Sequence, residues 1–278
     1  MTCLPNNYEG AWTLAKTVLR RGIGLHTGEE AEVRLSPYEK AGFHVSWIDS
    51  GEAPITLSAD QAFDTQLCTT LQLGNHRLST VEHLLAALGG CGISHVLIEV
   101  SGQEIPLLDG SALCWVEAIL EAGLAPACTP RLAAPLVNKP LAFHRGHSVI
   151  TATPAEKFTL VGIIDFPYPA IGQQMLTIQL TPNVFVKEIA PARTFGFKDQ
   201  LEKLQKSGLI KGGTLDNALV CDCDDWINPP LRFKDEPVRH KLLDLIGDLA
   251  LVGFPNAQVL VYRGSHCLHN DLAASLLQ

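Results

Sequence analysis

Charged side chains are scarce in this chain, and aromatic side chains are scarcer still. Lys, Arg, Asp and Glu make up 18% of its 278 residues, whereas hydrophobic residues make up 46%. This composition excludes a largely disordered chain, because disordered segments are polar and carry many charges. The net charge of -8 lacks the basic excess of a general nucleic-acid binder. We therefore expect a folded protein with a sizeable core and no nucleic-acid partner.

The sequence has no apolar run long enough to cross a bilayer. Residues 1–10 show neither the pattern of a secretion signal nor that of an Arg-rich transit peptide. These absences predict a cytoplasmic protein without stable membrane insertion. Its eight cysteines are then expected to be reduced thiols. Cys221 and Cys223 lack the Cys-x-x-Cys spacing of zinc ribbons, so we interpret them as two small core side chains of a strand.

A stretch rich in Pro and Ala at 124–135 (LAPACTPRLAAP) divides the chain into nearly equal halves. Segments 79–100 and 237–262 both read as a helix, a Gly-containing turn and a β-branched strand. Strands and helices do not alternate as they would in a doubly wound sheet. The sequence therefore predicts an α+β fold of two similar units, at residues 1–126 and 134–278.

Periodicity predicts several individual elements. Alternating or β-branched apolar runs indicate strands at 31–35, 42–47, 148–152 and 158–164. Apolar residues at helical spacing indicate helices at 113–122 and 198–207.

The strongest local pattern is a histidine and an aspartate one turn apart. His240 and Asp244 share a face of a helix that Pro237 is suited to begin. An imidazole and a carboxylate at this spacing form a two-point clamp for a divalent metal. Pairing of Asp244 with His240 or Lys241 on a solvated helix face gives the same pattern, and spacing alone favours it. His83 is the natural third ligand, although a core histidine bonded to a backbone carbonyl would look the same.

Two further groups have both a structural and a catalytic interpretation. Ser79 and Glu82 fit a helix capping box, whereas a Glu82 beside a metal-bound water could act as general base. His266 follows an apolar strand, where a catalytic acid could lie on a loop. His266 and His269 could also form a weak metal pair or belong to the polar surface.

Seven segments together resemble the UDP-3-O-acyl-N-acetylglucosamine deacetylases, the zinc enzymes of lipid A synthesis. They occur in the family's order over nearly the whole chain and read GIGLHTG (22–28), STVEHLLAAL, EIPLLDGSA, ARTFGF, GLIKGGTLDNALV, LRFKDEPVRHKLLDLIGDL and GSHCLHN. The resemblance implies two α+β domains, with their helices sandwiched between two sheets and the site at the domain junction.

The resemblance also implies a role for each candidate site residue. One zinc ion, or iron in the same ligands, would be held by His83, His240 and Asp244, with water in the open position. The catalytic groups would be a general base, a second catalytic histidine with its hydrogen-bonded carboxylate, and a hydroxyl that holds the oxyanion: Glu82, His266, Asp248 and Thr194.

The implied substrate is a UDP-linked, acylated N-acetylglucosamine. Lys241 and Arg263 match basic positions near the diphosphate, and Phe197 and Asp199 match contacts with the nucleotide or sugar. Residues 195–213 match an insert that forms an apolar passage for the acyl chain. We expect a monomer that makes at most transient contact with a membrane surface.

One departure concerns the segment before the catalytic histidine. The family reads Ser-Gly-His there, whereas this chain reads Gly264-Ser265-His266. If the family glycine has a positive φ, Ser265 would be strained. Two other functions stay open: a zinc amidohydrolase of this fold acting on another acylated amine, and a non-catalytic zinc-binding protein.

Overall fold

The computed structural model describes residues 4–64 and 67–277. Its first half consists, in chain order, of β1 (Trp12–Leu14), β2 (Val18–Ile23), β3 (Glu30–Ser36), β4 (Gly42–Trp47), β5 (Ile55–Thr56), β6 (Ala62–Asp64), β7 (Thr70–Leu73), β8 (His76–Leu78), α1 (Glu82–Gly90), β9 (His95–Val100), α2 (Leu113–Ala122) and β10 (Leu124–Pro126).

The second half continues with β11 (Leu141–Arg145), β12 (Ser148–Pro154), β13 (Thr159–Asp165), β14 (Gln173–Gln179), α3 (Pro182–Val184), β15 (Phe195–Phe197), α4 (Lys198–Lys206), β16 (Leu219–Asp222), β17 (Asp225–Trp226), α5 (Glu236–Ala250), β18 (Ala257–Tyr262) and α6 (His266–Leu276). The bounds of β4 and α2 match those predicted from periodicity. The other predicted strands, and α4, agree to within two residues at each end.

Each half contains a five-stranded sheet with the same strand order. The first runs β2-β3-β9-β4-β5, and the second runs β11-β12-β18-β13-β14. In each, the strand that follows the main helix enters the middle of the sheet and pairs parallel to one neighbour, β9 with β4 and β18 with β13. Each half also carries a small three-stranded sheet. The predicted α+β fold of two similar units is confirmed, and the boundaries 1–126 and 134–278 stay predictions.

The helices α1 and α5 pack against each other between the two large sheets. A single apolar core joins the halves, because the stripe of α5 (Leu242, Leu245, Ile246 and Leu249) is fully buried in it. Gly247 lets the two helices approach closely, since a Cβ at this position would lie 2.1 Å from the backbone oxygen of Glu82. This close approach brings the first turn of α1 beside the middle of α5.

Two expectations from the sequence are corrected here. The predicted linker begins later than residue 124, because Leu124–Pro126 pairs with β1 as an antiparallel strand. Only one of the two cysteines near β16 belongs to the core: Cys221 is buried, but Cys223 is exposed. Cys223 has a φ of 59° in the turn between β16 and β17, which points its side chain out of the strand pattern. No helix in the described part of the chain is long and apolar enough to span a membrane.

Candidate active site

Three candidate metal ligands meet where the first turn of α1 lies beside α5. His83, His240 and Asp244 are all buried, and each offers one ligand atom within 4.8 Å of the others. Oδ1 of Asp244 is 3.4 Å from Nε2 of His240 and 3.7 Å from Nε2 of His83. Ligand atoms around a tetrahedral zinc, each about 2.0–2.2 Å from the ion, are separated by about 3.4 Å. The distances suit three ligands of one ion better than they suit hydrogen bonds.

The surroundings prepare these side chains to bind a cation. The Nδ1 atom of His240 lies 3.1 Å from the carbonyl oxygen of Ala192, which turns Nε2 toward the other ligands. Burial lowers the pKa of His240 to about 3, so its ring is neutral and can bind a metal. Lys241 donates to Oδ2 of Asp244 at 2.8 Å. The Oδ1 atom of Asp244 is thus the one that faces both histidines.

Asp244 keeps its negative charge in this buried position. Burial acts to raise the pKa of its carboxyl, but the neighbouring Lys241 ammonium outweighs burial and holds the pKa well below its usual value. Two imidazoles and one carboxylate are a donor set that catalytic zinc sites use. The residues present therefore fit a zinc ion.

A second buried cluster beside the ligands is a hydrogen-bonded network. The carboxylate of Asp248 accepts at 2.9 Å from Nδ1 of His266 and at 2.9 Å from Nδ1 of His269, both on Oδ2. Its Oδ1 accepts from the Thr69 hydroxyl at 2.6 Å. These are hydrogen-bond distances, shorter than the separation of two ligands around one zinc. The hydrogen bond expected between Asp248 and His266 is confirmed.

Glu82 and His266 face each other beside the candidate metal ligands. Oε2 of Glu82 accepts the Thr69 backbone N–H at 3.1 Å, and Oε1 lies 4.0 Å from Nε2 of His266. Burial raises the pKa of Glu82, partly offset by the two nearby histidines. Burial disfavours the charged form of His266, but the Asp248 carboxylate outweighs this and raises the pKa to about 9. A carboxyl and an imidazole with pKa values moved toward or above neutrality can act as base and acid.

Several local expectations about these residues are wrong. Ser79 does not cap α1, because α1 begins at Glu82 and Ser79 instead forms a bridge with Glu104. His266 is the first residue of α6 rather than part of a loop, and Ser265 is its N-cap. The φ of Ser265 is -145°, so this position carries no left-handed strain. His269 is buried rather than part of the polar surface.

Thr194 borders an apolar cavity of about 340 Å³. Its backbone N–H donates to the Gly110 carbonyl at 2.7 Å, which joins the two halves at the turn that contains Asp109 and Gly110. The following residue, Phe195, contacts the ring of His240 with centroids 6.3 Å apart. Side chains of the 195–213 segment line the cavity, among them Phe195, Leu201, Leu204 and Ile210.

The four residues expected to contact the substrate lie at different distances from the candidate metal ligands. Lys241 is next to the ligands and lies 5.7 Å from the centre of the Phe195 ring. Phe197 stacks on Tyr168 at 4.2 Å, and Asp199 accepts from the Tyr168 hydroxyl. Arg263 is partly exposed and pairs with Asp165 at 2.6 Å. Of these four residues, only Lys241 contacts a candidate metal ligand directly in the part of the chain that the structure describes.

Sequence reasoning missed two groups that support the site. Thr69 bonds to both Glu82 and Asp248, yet no pattern around it in the sequence marks it. Buried Glu236 accepts from the side chain of Arg193 at 2.9 Å and from its backbone N–H at 3.0 Å. This pair anchors the segment whose Ala192 carbonyl orients His240.

The chain matches known proteins over nearly its full length. The family model described as UDP-3-O-acyl N-acetylglycosamine deacetylase matches residues 11–278. A UDP-3-O-acyl-N-acetylglucosamine deacetylase of Nostoc sp. is 49% identical over 273 residues, covering 95% of this chain and 97% of that protein. The enzyme of that name from Thermosynechococcus vestitus is 46% identical over 269 residues, covering 96% and 93%.

A plant protein is also similar. The probable UDP-3-O-acyl-N-acetylglucosamine deacetylase 1, mitochondrial, of Arabidopsis thaliana is 40% identical over 286 residues, covering 95% of this chain and 87% of that protein. Identity at this level over most of both chains, together with the family match, leads to one conclusion. The chain belongs to the UDP-3-O-acyl-N-acetylglucosamine deacetylase family.

Proposed function

We propose that this chain is a zinc-dependent deacetylase that hydrolyses the N-acetyl group of a UDP-linked, 3-O-acylated N-acetylglucosamine. The products are acetate and the 2-amino sugar, and the reaction belongs to lipid A synthesis. One observation carries the proposal: His83, His240 and Asp244 lie together, and Nε2 of His266 is 3.9 Å from Asp244 and 4.0 Å from Glu82. We further propose a cytoplasmic monomer, divided into the domains 1–126 and 134–278.

The proposed metal site uses His83, His240 and Asp244. A zinc ion held there would lower the pKa of a coordinated water to about 7 and polarise the acetyl carbonyl. Three protein ligands are the usual number for a catalytic zinc, whereas a structural zinc normally has four. The donor set thus supports a catalytic role over the alternative of a structural zinc protein.

Glu82 is the proposed general base. Its carboxylate takes a proton from the attacking water as the new C–O bond forms at the acetyl carbon. The oxygen of the acetyl carbonyl then carries negative charge, which the protonated His266 and the Thr194 hydroxyl stabilise. The C–N bond breaks as the amine receives a proton, either from His266 or from Glu82. Asp248 favours the protonated form of His266 through their 2.9 Å hydrogen bond.

The rest of the substrate is proposed to lie across the junction of the halves. The acyl chain enters the apolar cavity lined by the 195–213 segment. Lys241 and Arg263 bind the diphosphate, and Phe197 and Asp199 contact the nucleotide or sugar. An acidic chain would thereby carry a locally cationic pocket.

Acetate release tests this function directly. We expect the purified zinc-loaded protein to release acetate from the acylated UDP-sugar far faster than from UDP-N-acetylglucosamine or N-acetylglucosamine. Fast hydrolysis of simple N-acetyl sugars and slow hydrolysis of the acylated UDP-sugar would indicate an amidohydrolase with another substrate. A zinc-loaded protein that hydrolyses none of them would contradict a deacetylase and leave the metal with a structural role.

A further inference from the structure

His269 occupies a buried position that the proposed reaction does not use. It lies one turn after His266 on α6, and its side chain is only 1% exposed. Its Nδ1 is 2.9 Å from Oδ2 of Asp248, the same oxygen that His266 contacts. This buried imidazole, bonded to Asp248, calls for an explanation, because moving a polar ring out of water costs free energy.

The bonds to Asp248 fix both of its carboxylate oxygens. Oδ1 accepts from Thr69, and Oδ2 accepts from the two imidazoles. With Thr69 alone on Oδ1 and His266 alone on Oδ2, the carboxylate could still tilt about its Cβ–Cγ bond and shift the His266 ring with it. With His269 in place, Oδ2 stays between the two rings, and Nε2 of His266 stays directed toward Glu82 and Asp244.

Gly264 is where the chain makes room for the His269 ring. A Cβ at this position would lie 2.7 Å from Nε2 of His269 and 2.7 Å from Cγ2 of Val261. The φ of Gly264 is not positive, so its backbone does not call for glycine. The His269 ring could move away only by breaking its bond to Asp248, since the ring is buried and held at Nδ1.

We propose that His269 is a positioning residue that fixes the Asp248 carboxylate and, through it, the imidazole of His266. The lack of a side chain at Gly264 leaves the room that the His269 ring needs. This proposal rests on the proposed function only for the catalytic role of His266. It explains why the chain has glycine at 264 and serine at 265, since Ser265 then supplies the N-cap of α6.

The first experiment asks whether position 269 needs an N–H donor or only a side chain of a certain size. His269→Leu gives an apolar side chain of similar size that lacks the donor, whereas the amide N–H of His269→Asn can reach toward Asp248. We expect His269→Leu to lower kcat by about 10- to 100-fold with little change in KM, the range for residues that orient catalytic groups. His269→Asn should recover most of this loss. His147→Leu, at the exposed tip of the β11–β12 hairpin, is the control.

A spectroscopic readout makes the test independent of activity. In the metal-loaded protein, we expect the imidazole ¹⁵N and ring-proton NMR signals of His266 to shift or broaden in His269→Leu and to stay near their wild-type positions in His269→Asn. Unchanged His266 signals and unchanged kcat in a folded His269→Leu would overturn the proposal. Equal losses in both variants, with equal drops in melting temperature, would also overturn it, because His269 would then only fill space.

The second experiment tests the link to Gly264. We expect Gly264→Ala to disturb the His266 signals in the wild-type background and to disturb them less in the His269→Asn background, because the smaller amide leaves space. Additive effects of the two substitutions would show that the His269 ring is not the reason for glycine at position 264. If wild-type protein releases no acetate, the proposed function fails, whereas the NMR comparison still decides the positioning role.

Discussion

Oε1 of Glu82 lies 4.0 Å from Nε2 of His266, although the two residues come from helices in opposite halves of the chain. Thr69 supports both of them, through its backbone N–H to Glu82 and its hydroxyl to Asp248. The two proposed proton-transfer groups are therefore held by one shared residue. The acid–base residues and the proposed metal ligands are different side chains, so substitutions can test the two sets independently.

Glu82→Gln removes the base but preserves the shape of the side chain. We expect turnover to fall by about two to four orders of magnitude, the contribution of a well-placed acid–base group. Zinc content should stay at the wild-type value, because Glu82 is not among the proposed ligands. Steady-state kinetics with metal analysis on the same sample checks this. Near-normal kcat with full zinc would mean that Glu82 serves only the packing of α1.

Asp248→Asn should move the alkaline limb of the activity profile. In the native protein Asp248 raises the pKa of His266 to about 9 against the effect of burial. Removing its negative charge lowers that pKa, so His266 loses its proton at a lower pH. The fall in kcat at high pH should then begin at lower pH than in the wild type. Exposed Asp216→Asn is the control, and a limb that does not move would contradict the assigned role of His266.

Gly247→Ala should separate the two central helices. The new Cβ would lie 2.1 Å from the Glu82 carbonyl oxygen, a backbone atom that cannot move aside alone. We expect a loss of about 1–3 kcal/mol in the free energy of unfolding, although alanine has the higher helix propensity. Weaker zinc binding should accompany it, because His83 and His240 sit on the separated helices.

Gly102→Ala is the matched control for that variant, since nothing lies within 4 Å of a Cβ built there. Urea unfolding should show a change below about 0.5 kcal/mol for it. Equal effects of the two substitutions would show that the close approach of α1 and α5 does not depend on Gly247.

Leu204→Trp should shorten the acyl chain that the enzyme accepts. Leu204 lines the apolar cavity, and a larger ring there reduces its volume. We expect KM to rise more for a long-chain substrate than for a short-chain one, while kcat for the short chain stays close to wild type. Lys203→Trp, exposed on the same helix, is the control. Equal changes for both chain lengths would place the acyl chain elsewhere.

Local patterns predicted the elements that depend on near neighbours. The segment Gly42–Trp47 has the apolar content of a buried central strand and forms one. The similarity between segments 79–100 and 237–262 was also informative, because each forms a buried helix followed by a strand in the middle of its sheet. The closeness of His240 and Asp244 could be predicted for the same reason, since one helical turn fixes their spacing.

Contacts between distant segments explain what the sequence could not predict. The capping interpretation of Ser79 failed because its N–H bonds to Gln103 and because Thr80 turns the chain with a φ of 58°. Thr69 and Asp248 are 179 residues apart, so no local spacing reports their hydrogen bond. His269 could be read as a surface residue from the sequence, but α6 packs against α5 and buries it.

Metal content measured together with activity tests the central claim, that His83, His240 and Asp244 hold one catalytic ion. Wild-type protein should bind one zinc, lose acetate release when a chelator removes it and regain activity when zinc is restored. His240→Ala should lower both zinc content and acetate release, whereas Glu82→Gln should lower acetate release alone. A folded His240→Ala that keeps one tightly bound zinc and wild-type acetate release would contradict the account.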